Sequence, residues 1–145
     1  MKLIVAKFGG TSVGTIDRIK SVATRIKNEV KNGYNVIVVV SAMAGETNRL
    51  IKLVENLTND FRTSEYDTVI SSGEQVTSGL LAIALNELGI KSKSYQGWQI
   101  PFETDNNFSK ANIKEIKQDK ILSFFIFFIF ALLKFLSVSN GICHP

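Results

Sequence analysis

The chain has one cysteine, Cys143, and one histidine, His144, in 145 residues. A disulfide framework needs a second cysteine, and a Cys/His metal site needs more ligands, so both are excluded. The two stand side by side near the C-terminal end, where adjacent side chains lack the rigid support that a nucleophile and its base require. Also missing is a basic start followed by an apolar leader, which sets the expectation of a cytoplasmic protein. The formal charge is +4, but lysines interleave with acidic residues. No arginine-lysine patch with interspersed aromatics appears, so nucleic acid is not an expected partner. The excess charge belongs on solvated helix faces.

What is present fits a folded domain. Apolar residues make up 45% of the chain, and its length is enough for one domain with a sizeable core. Up to about Lys120 the pattern alternates strands and helices, which predicts an α/β fold: a three-layer sandwich around a mostly parallel central sheet. Leu3 to Ala6 reads as a buried strand. From Thr15 a helix is expected, with Ile16, Ile19, Val22, Ala23, Ile26 and Val30 on one face. Gly33 is placed to stop it. Val36 to Val40 is a continuous β-branched run suited to a central parallel strand. A second helix is expected over Asn48 to Leu57, with Leu50, Leu53, Val54 and Leu57 as its apolar face. Asn59 to Glu65 reads as loop, Thr68 to Ile70 as a short run ending at Ser71, and Val76 to Leu88 as a buried helix closed by Gly89. Lys91 to Tyr95 follows as a short strand, Gly97 to Asn107 as a surface or binding loop, and Ser109 to Lys117 as a short helix.

Beyond Lys120 the composition breaks. Ile121 to Leu133 holds five of the ten phenylalanines, with neither alternation nor an internal turn. Two regions are therefore expected, 1–120 and 121–145. The second admits three readings: core sequence completed by another chain, a membrane-contacting end, or a terminus made by truncation or a shifted reading frame. As a membrane span the apolar run stops short, at Lys134.

Three polar clusters are expected at the carboxyl ends of parallel strands, where open α/β sheets bind ligands. In Lys7-Phe8-Gly9-Gly10-Thr11-Ser12-Val13-Gly14, a strand feeds a glycine turn that opens a helix. Such a turn presents backbone N–H groups to an anion, and Lys7 adds a mobile point charge. The plainer reading is a tight turn beside an exposed lysine. The stretch is neither a Walker A loop nor the dinucleotide fingerprint. The other clusters are Ser41 to Arg49 and Ser71 to Glu74. Ser41 and Thr47 offer hydroxyls, Arg49 a guanidinium for a carboxylate, and Glu74 a carboxylate for an ammonium, the groups a small zwitterion needs. Each has a local alternative: Ser71 and Glu74 have capping-box spacing, Thr47 could cap a helix, Ser41 could bond within its turn, and Arg49 could lie on a solvated face.

These motifs, with Val38-Val39-Val40-Ser41-Ala42-Met43-Ala44-Gly45-Glu46-Thr47-Asn48-Arg49-Leu50 and Ser72-Gly73-Glu74-Gln75-Val76, resemble the amino-terminal part of the aspartate kinases, within the amino-acid kinase family. The resemblance continues through Ala82 to Gly89 and Gly97-Trp98-Gln99 to about Lys120. It implies a partial amino-acid kinase fold that transfers the ATP γ-phosphoryl group to the side-chain carboxylate of L-aspartate, giving 4-phospho-L-aspartate. That reaction opens the route to lysine, diaminopimelate, methionine and threonine. By resemblance ATP and Mg2+ are the cofactors. Lys7 steadies the transferred phosphoryl, Phe8, Gly9, Gly10 and Ser41 belong to the phosphate side, and Thr47, Glu74 and Arg49 to the substrate side. No metal ligand is assigned. A homo-oligomer, or the remainder of a kinase domain, is the protein partner implied. The alternatives are a truncated, catalytically silent remnant, a small-ligand-binding protein, and another amino-acid kinase such as a glutamate or acetylglutamate kinase.

Overall fold

The computed structural model describes residues 2–100, 102–116 and, as backbone, 128–131. Strand β1 (Lys2–Phe8), helix α1 (Ile16–Lys31) and strand β2 (Tyr34–Val40) form a βαβ unit. The two strands pair in parallel from Lys2 opposite Tyr34 to Phe8 opposite Val40. Helix α1 forms as its sequence predicts and buries Ile19, Val22, Ala23 and Ile26, but Ile16, expected on the same face, is exposed in its first turn. Thr15 caps it by accepting the Arg18 N–H at 3.3 Å, and Asp17 in the first turn and Lys31 in the last complement the helix dipole. Gly33, at φ +85°, takes the left-handed conformation just past its end.

Helix α2 spans Glu46–Glu55, helix α3 Ser64–Glu87, and strand β3 Lys93–Tyr95. A four-stranded parallel sheet is completed by β6 (Phe128–Ala131), in the order β1-β2-β6-β3. This strand belongs to the phenylalanine-rich segment and occupies the place between β2 and β3. The rest of residues 121–145 lies outside the described residues. Among the described residues no helix is long and apolar enough to cross a membrane.

The core sits between the sheet and helices α1 and α3. Val36, Val38 and Val40 meet Ile19, Val22, Ala23 and Ile26 of α1 and Leu81, Ala82 and Leu85 of α3. The expectation that β1 is buried does not hold, because Leu3 is 48% and Val5 64% exposed. They alternate with the half-buried Ile4, Ala6 and Phe8, and β1 is an edge of the described sheet.

Four further expectations are corrected. In α2, Leu50 and Val54 are buried, but Leu53 and Leu57 are exposed. The helix ends at Glu55, so Leu57 falls beyond it. Second, Thr68 to Glu74 is neither strand nor cap but the interior of the 24-residue α3. Its cap is Thr63, which accepts the Tyr66 N–H at 3.1 Å. The hydroxyls of Ser71, Ser72, Thr77 and Ser78 donate to carbonyls three or four residues back, which makes a polar run compatible with helix. Third, the apolar stretch from Val76 is not buried all round, since Val76 and Ile83 are exposed. Fourth, the helix expected from Ser109 is replaced by an antiparallel hairpin of β4 (Phe102–Thr104) and β5 (Ile113–Ile116). Asp105 closes it by accepting the N–H groups of Asn107 and Asn112 at 3.1 and 3.2 Å and the Asn112 amide at 3.0 Å. Ser109, at φ +61°, cannot continue a right-handed helix.

Candidate active site

Because β1 and β2 end level, the chain leaves the sheet at two adjacent points. The Ser41 N–H donates to the Phe8 carbonyl at 3.1 Å, carrying the ladder one step past both strands. The turn after β1 closes when the Ser12 N–H donates to the Gly9 carbonyl at 2.9 Å. It lies so close to the loop after β2 that a Cβ on Gly10 would fall 2.9 Å from the Ala42 carbonyl oxygen. Helix α3 approaches the same residue from another side: a Cβ on Gly73 would fall 2.9 Å from the Ala42 Cβ. Ala42 is thus held between two glycines, where only a missing side chain permits the approach. Gly45, in the left-handed conformation at φ +82°, then turns the chain into α2 without a side-chain cap.

These junctions enclose a cleft of about 490 Å³ whose lining includes Lys7, Gly10, Ser41, Thr47, Asn48 and Glu74. Five residues singled out from the sequence therefore come together, from β1, two loops and two helices. Glu74 is 4% exposed and reaches the cleft from the middle of α3 rather than from a strand end. The other three are placed differently. Phe8 packs its side chain against the core and offers its carbonyl to Ser41. Gly9 closes the turn through its carbonyl but does not line the cleft. Arg49 lies outside the lining and is committed to Glu46 through bonds of 2.9 and 2.7 Å. That guanidinium holds the Glu46 carboxyl below the usual carboxylate range.

Two contributors had no role assigned from the sequence. Asn48 lines the cleft, and nothing in its type or spacing singles it out. Gly73 is needed for the contact with Ala42, and its signal was a glycine inside a helix, which usually marks close packing.

A second cavity, of about 380 Å³, lies between α1 and α3 and is lined by Ile16, Ala23, Leu80 and Ile83 among others. It gathers little polar chemistry. The first cleft sets a mobile cation, Lys7, and a buried carboxylate, Glu74, around hydroxyls and a side-chain amide. It can hold a small ligand with an anionic and a cationic end.

Comparison with known proteins agrees in family and fold. The model of the amino acid kinase family matches residues 2–126. An aspartokinase of Rickettsia felis is 54% identical over 122 residues, which covers 82% of this chain and 30% of that protein. An aspartate kinase of Pseudomonas putida is 48% identical over 121 residues, covering 83% of this chain and 29% of that one. The crystal structure of aspartate kinase from Synechocystis superposes with a TM-score of 0.73 at 34% identity, over 90% of this chain and 22% of that chain. The chain thus spans about 30% of the length of the curated relatives it matches.

Proposed function

This chain belongs to the amino acid kinase family, and we propose that its cleft is the amino-acid side, with the first phosphate loop, of an aspartate kinase active site. The observation that supports this reading is the convergence of Lys7 from β1 and Glu74 from α3 on one cleft. L-Aspartate carries an ammonium for Glu74 and carboxylates that Thr47, Asn48 and Lys7 can engage. Its side-chain carboxylate is already ionised at neutral pH, so attack on the ATP γ-phosphorus needs no strong base. What the site must supply is alignment and charge neutralisation. Lys7 meets the second need, and the backbone of the turn at Gly10, which lines the cleft, is its complement. Ser41, also in the lining, adds a hydroxyl donor.

The described residues do not amount to a protein-held magnesium site. No three His, Cys, Asp or Glu side chains gather among them, and Glu74 is the only carboxylate in the cleft lining. Magnesium would come with ATP on the phosphate oxygens. On this reading residues 1–120 are the first portion of a kinase domain, its partner is the remainder of such a domain, and its setting is the cytoplasm. The second reading is a ligand-binding protein without turnover, supported by the cleft's pairing of Lys7 with Glu74 for a small zwitterion.

Purified chain incubated with ATP, magnesium and L-aspartate separates these readings by trapping the acyl phosphate as a hydroxamate. Aspartate-dependent product that falls roughly a hundredfold or more in Lys7→Ala is the result expected of a kinase. Calorimetric binding of L-aspartate without product selects the second reading. Neither binding nor product overturns both.

A further inference from the structure

The first two-thirds of α3 buries mainly polar side chains, with Ile70 as its buried hydrophobic. Its members of the core cluster all lie at or beyond Leu80, whereas Asp67, Ser71, Glu74 and Ser78 are buried polar residues. At 100° per residue these four fall within roughly 60° of one another, on a single face. Apolar packing tolerates small rotations of a helix about its axis, but directional hydrogen bonds do not. The roll of this part, and with it the aim of Glu74, depends on the close contact of Gly73 with Ala42 and also on what bonds to that face.

The chain after α3 runs back beside the helix and is fastened to it at intervals. The Asn86 side chain pairs with the backbone of Ser92 at 2.9 and 3.2 Å, and the Ser92 hydroxyl donates to the Ala82 carbonyl at 3.0 Å. One turn further back, the Gln96 amide donates to the Ser78 hydroxyl at 3.1 Å. Nearer the start of α3, in its first turn, Asp67 accepts the Ser109 N–H at 3.0 Å. Ser78 and Asp67 are roughly 16 Å apart along the helix, and the turn carrying Glu74 lies between them.

We infer that Gln96 and Asp67 are positioning residues for the amino-acid end of the cleft: by fastening the segment between Gln96 and Ser109 to α3 on both sides of Glu74, they contribute to fixing the direction of its carboxylate. The inference rests on the reading of Glu74 as the ammonium contact. Neither residue lines the cleft, so each acts through α3. Trp98, the sole tryptophan, sits in the turn Gly97–Gln99 immediately after the Gln96 anchor and is 38% exposed. It reports on that anchor directly.

The test is calorimetry on the full chain with L-aspartate and, separately, ATP. Gln96→Ala and Asp67→Ala should weaken L-aspartate roughly five- to tenfold while ATP stays within about twofold. Asp67→Asn keeps an acceptor for the Ser109 N–H and should restore near wild-type affinity. An unchanged L-aspartate affinity in both alanine variants overturns the inference, and so does an equal loss of both ligands. If Asp67→Ala does not fold, Gln96→Ala, at a half-buried turn, carries the test. Glu74→Gln isolates the underlying reading: if it binds L-aspartate like the wild type, or if the wild type binds none, that reading falls. The anchoring is then judged on ligand-free protein by acrylamide quenching of Trp98. Quenching should rise in Gln96→Ala, and no change overturns the inference.

Discussion

The cleft block and the β4–β5 hairpin are held together by different physics. Around the cleft, segments distant in sequence meet at backbone contact: Gly10 and Gly73 close on Ala42 with no room for a methyl group. The hairpin is held by its short antiparallel ladder, by local bonds to the Asp105 side chain, and by a tie of Ser109 to Asp67. A packed contact fails when atoms are added or removed, and it fails for the whole domain. A local polar tie fails when its charge or its partner is lost, and only nearby residues respond.

The largest effect that would sharpen this contrast is expected from Leu81→Ala. Leu81 is fully buried where α1, β2 and α3 meet, and its truncation should cost about 2–5 kcal/mol in urea unfolding. Next comes a pair of identical changes in one helix. Gly73→Ala drives a methyl group to 2.9 Å from Ala42 Cβ and should destabilise by about 1–3 kcal/mol. Gly79→Ala meets nothing within 4 Å and should stabilise by roughly 0.5–1 kcal/mol. If the two shift stability in the same direction, the packed character assigned to the cleft block is wrong.

For the hairpin, acid is the sharper tool. The amide of Asn112, then the N–H of Asn107, hold Asp105 below the usual carboxylate range. A group lowered in this way contributes stability above its unfolded pKa, and the contribution is lost as pH falls through the lower folded value. Hydrogen exchange should therefore show the N–H groups of Asn107 and Asn112 losing protection below the usual carboxylate range while the α1 and α3 amides keep theirs. Simultaneous loss would break the comparison. The smallest effect is expected from Arg49→Ala: its pair with Glu46 lies on the surface of α2, so the melting temperature should not move measurably. Loss of L-aspartate binding in that variant would return Arg49 to the site.

The elements legible in the sequence were those with one apolar face or none exposed. Ile19, Val22, Ala23 and Ile26 announced α1 by their spacing, and Val36 to Val40 announced β2 by its continuity. Helix α3 was half hidden, because its first two-thirds buries Asp67, Ser71, Glu74 and Ser78 on one face and so has a weak hydrophobic period to read. The hairpin was hidden for a different reason, since its closure depends on the reach of Asp105 across a loop rather than on alternation. The exposure of Leu3 and Val5 also escaped, because a strand's composition does not reveal what covers its second face. In the cleft, the residue types of Lys7, Ser41, Thr47 and Glu74 were readable. The route of Glu74 into it was not, since the signal at Ser71 matched a helix start as well as a helix interior.

Ala42 between its two glycines also bears on the order of folding. The turn at Gly10, the loop at Ala42 and the turn of α3 at Gly73 each belong to a different part of the chain, so the cleft is assembled only from long-range contacts, which form late. A form lacking any one of these contacts lacks the complete binding surface. A small molecule that occupies it binds the complete native state alone, so its affinity registers as added stability of the whole domain rather than of one loop.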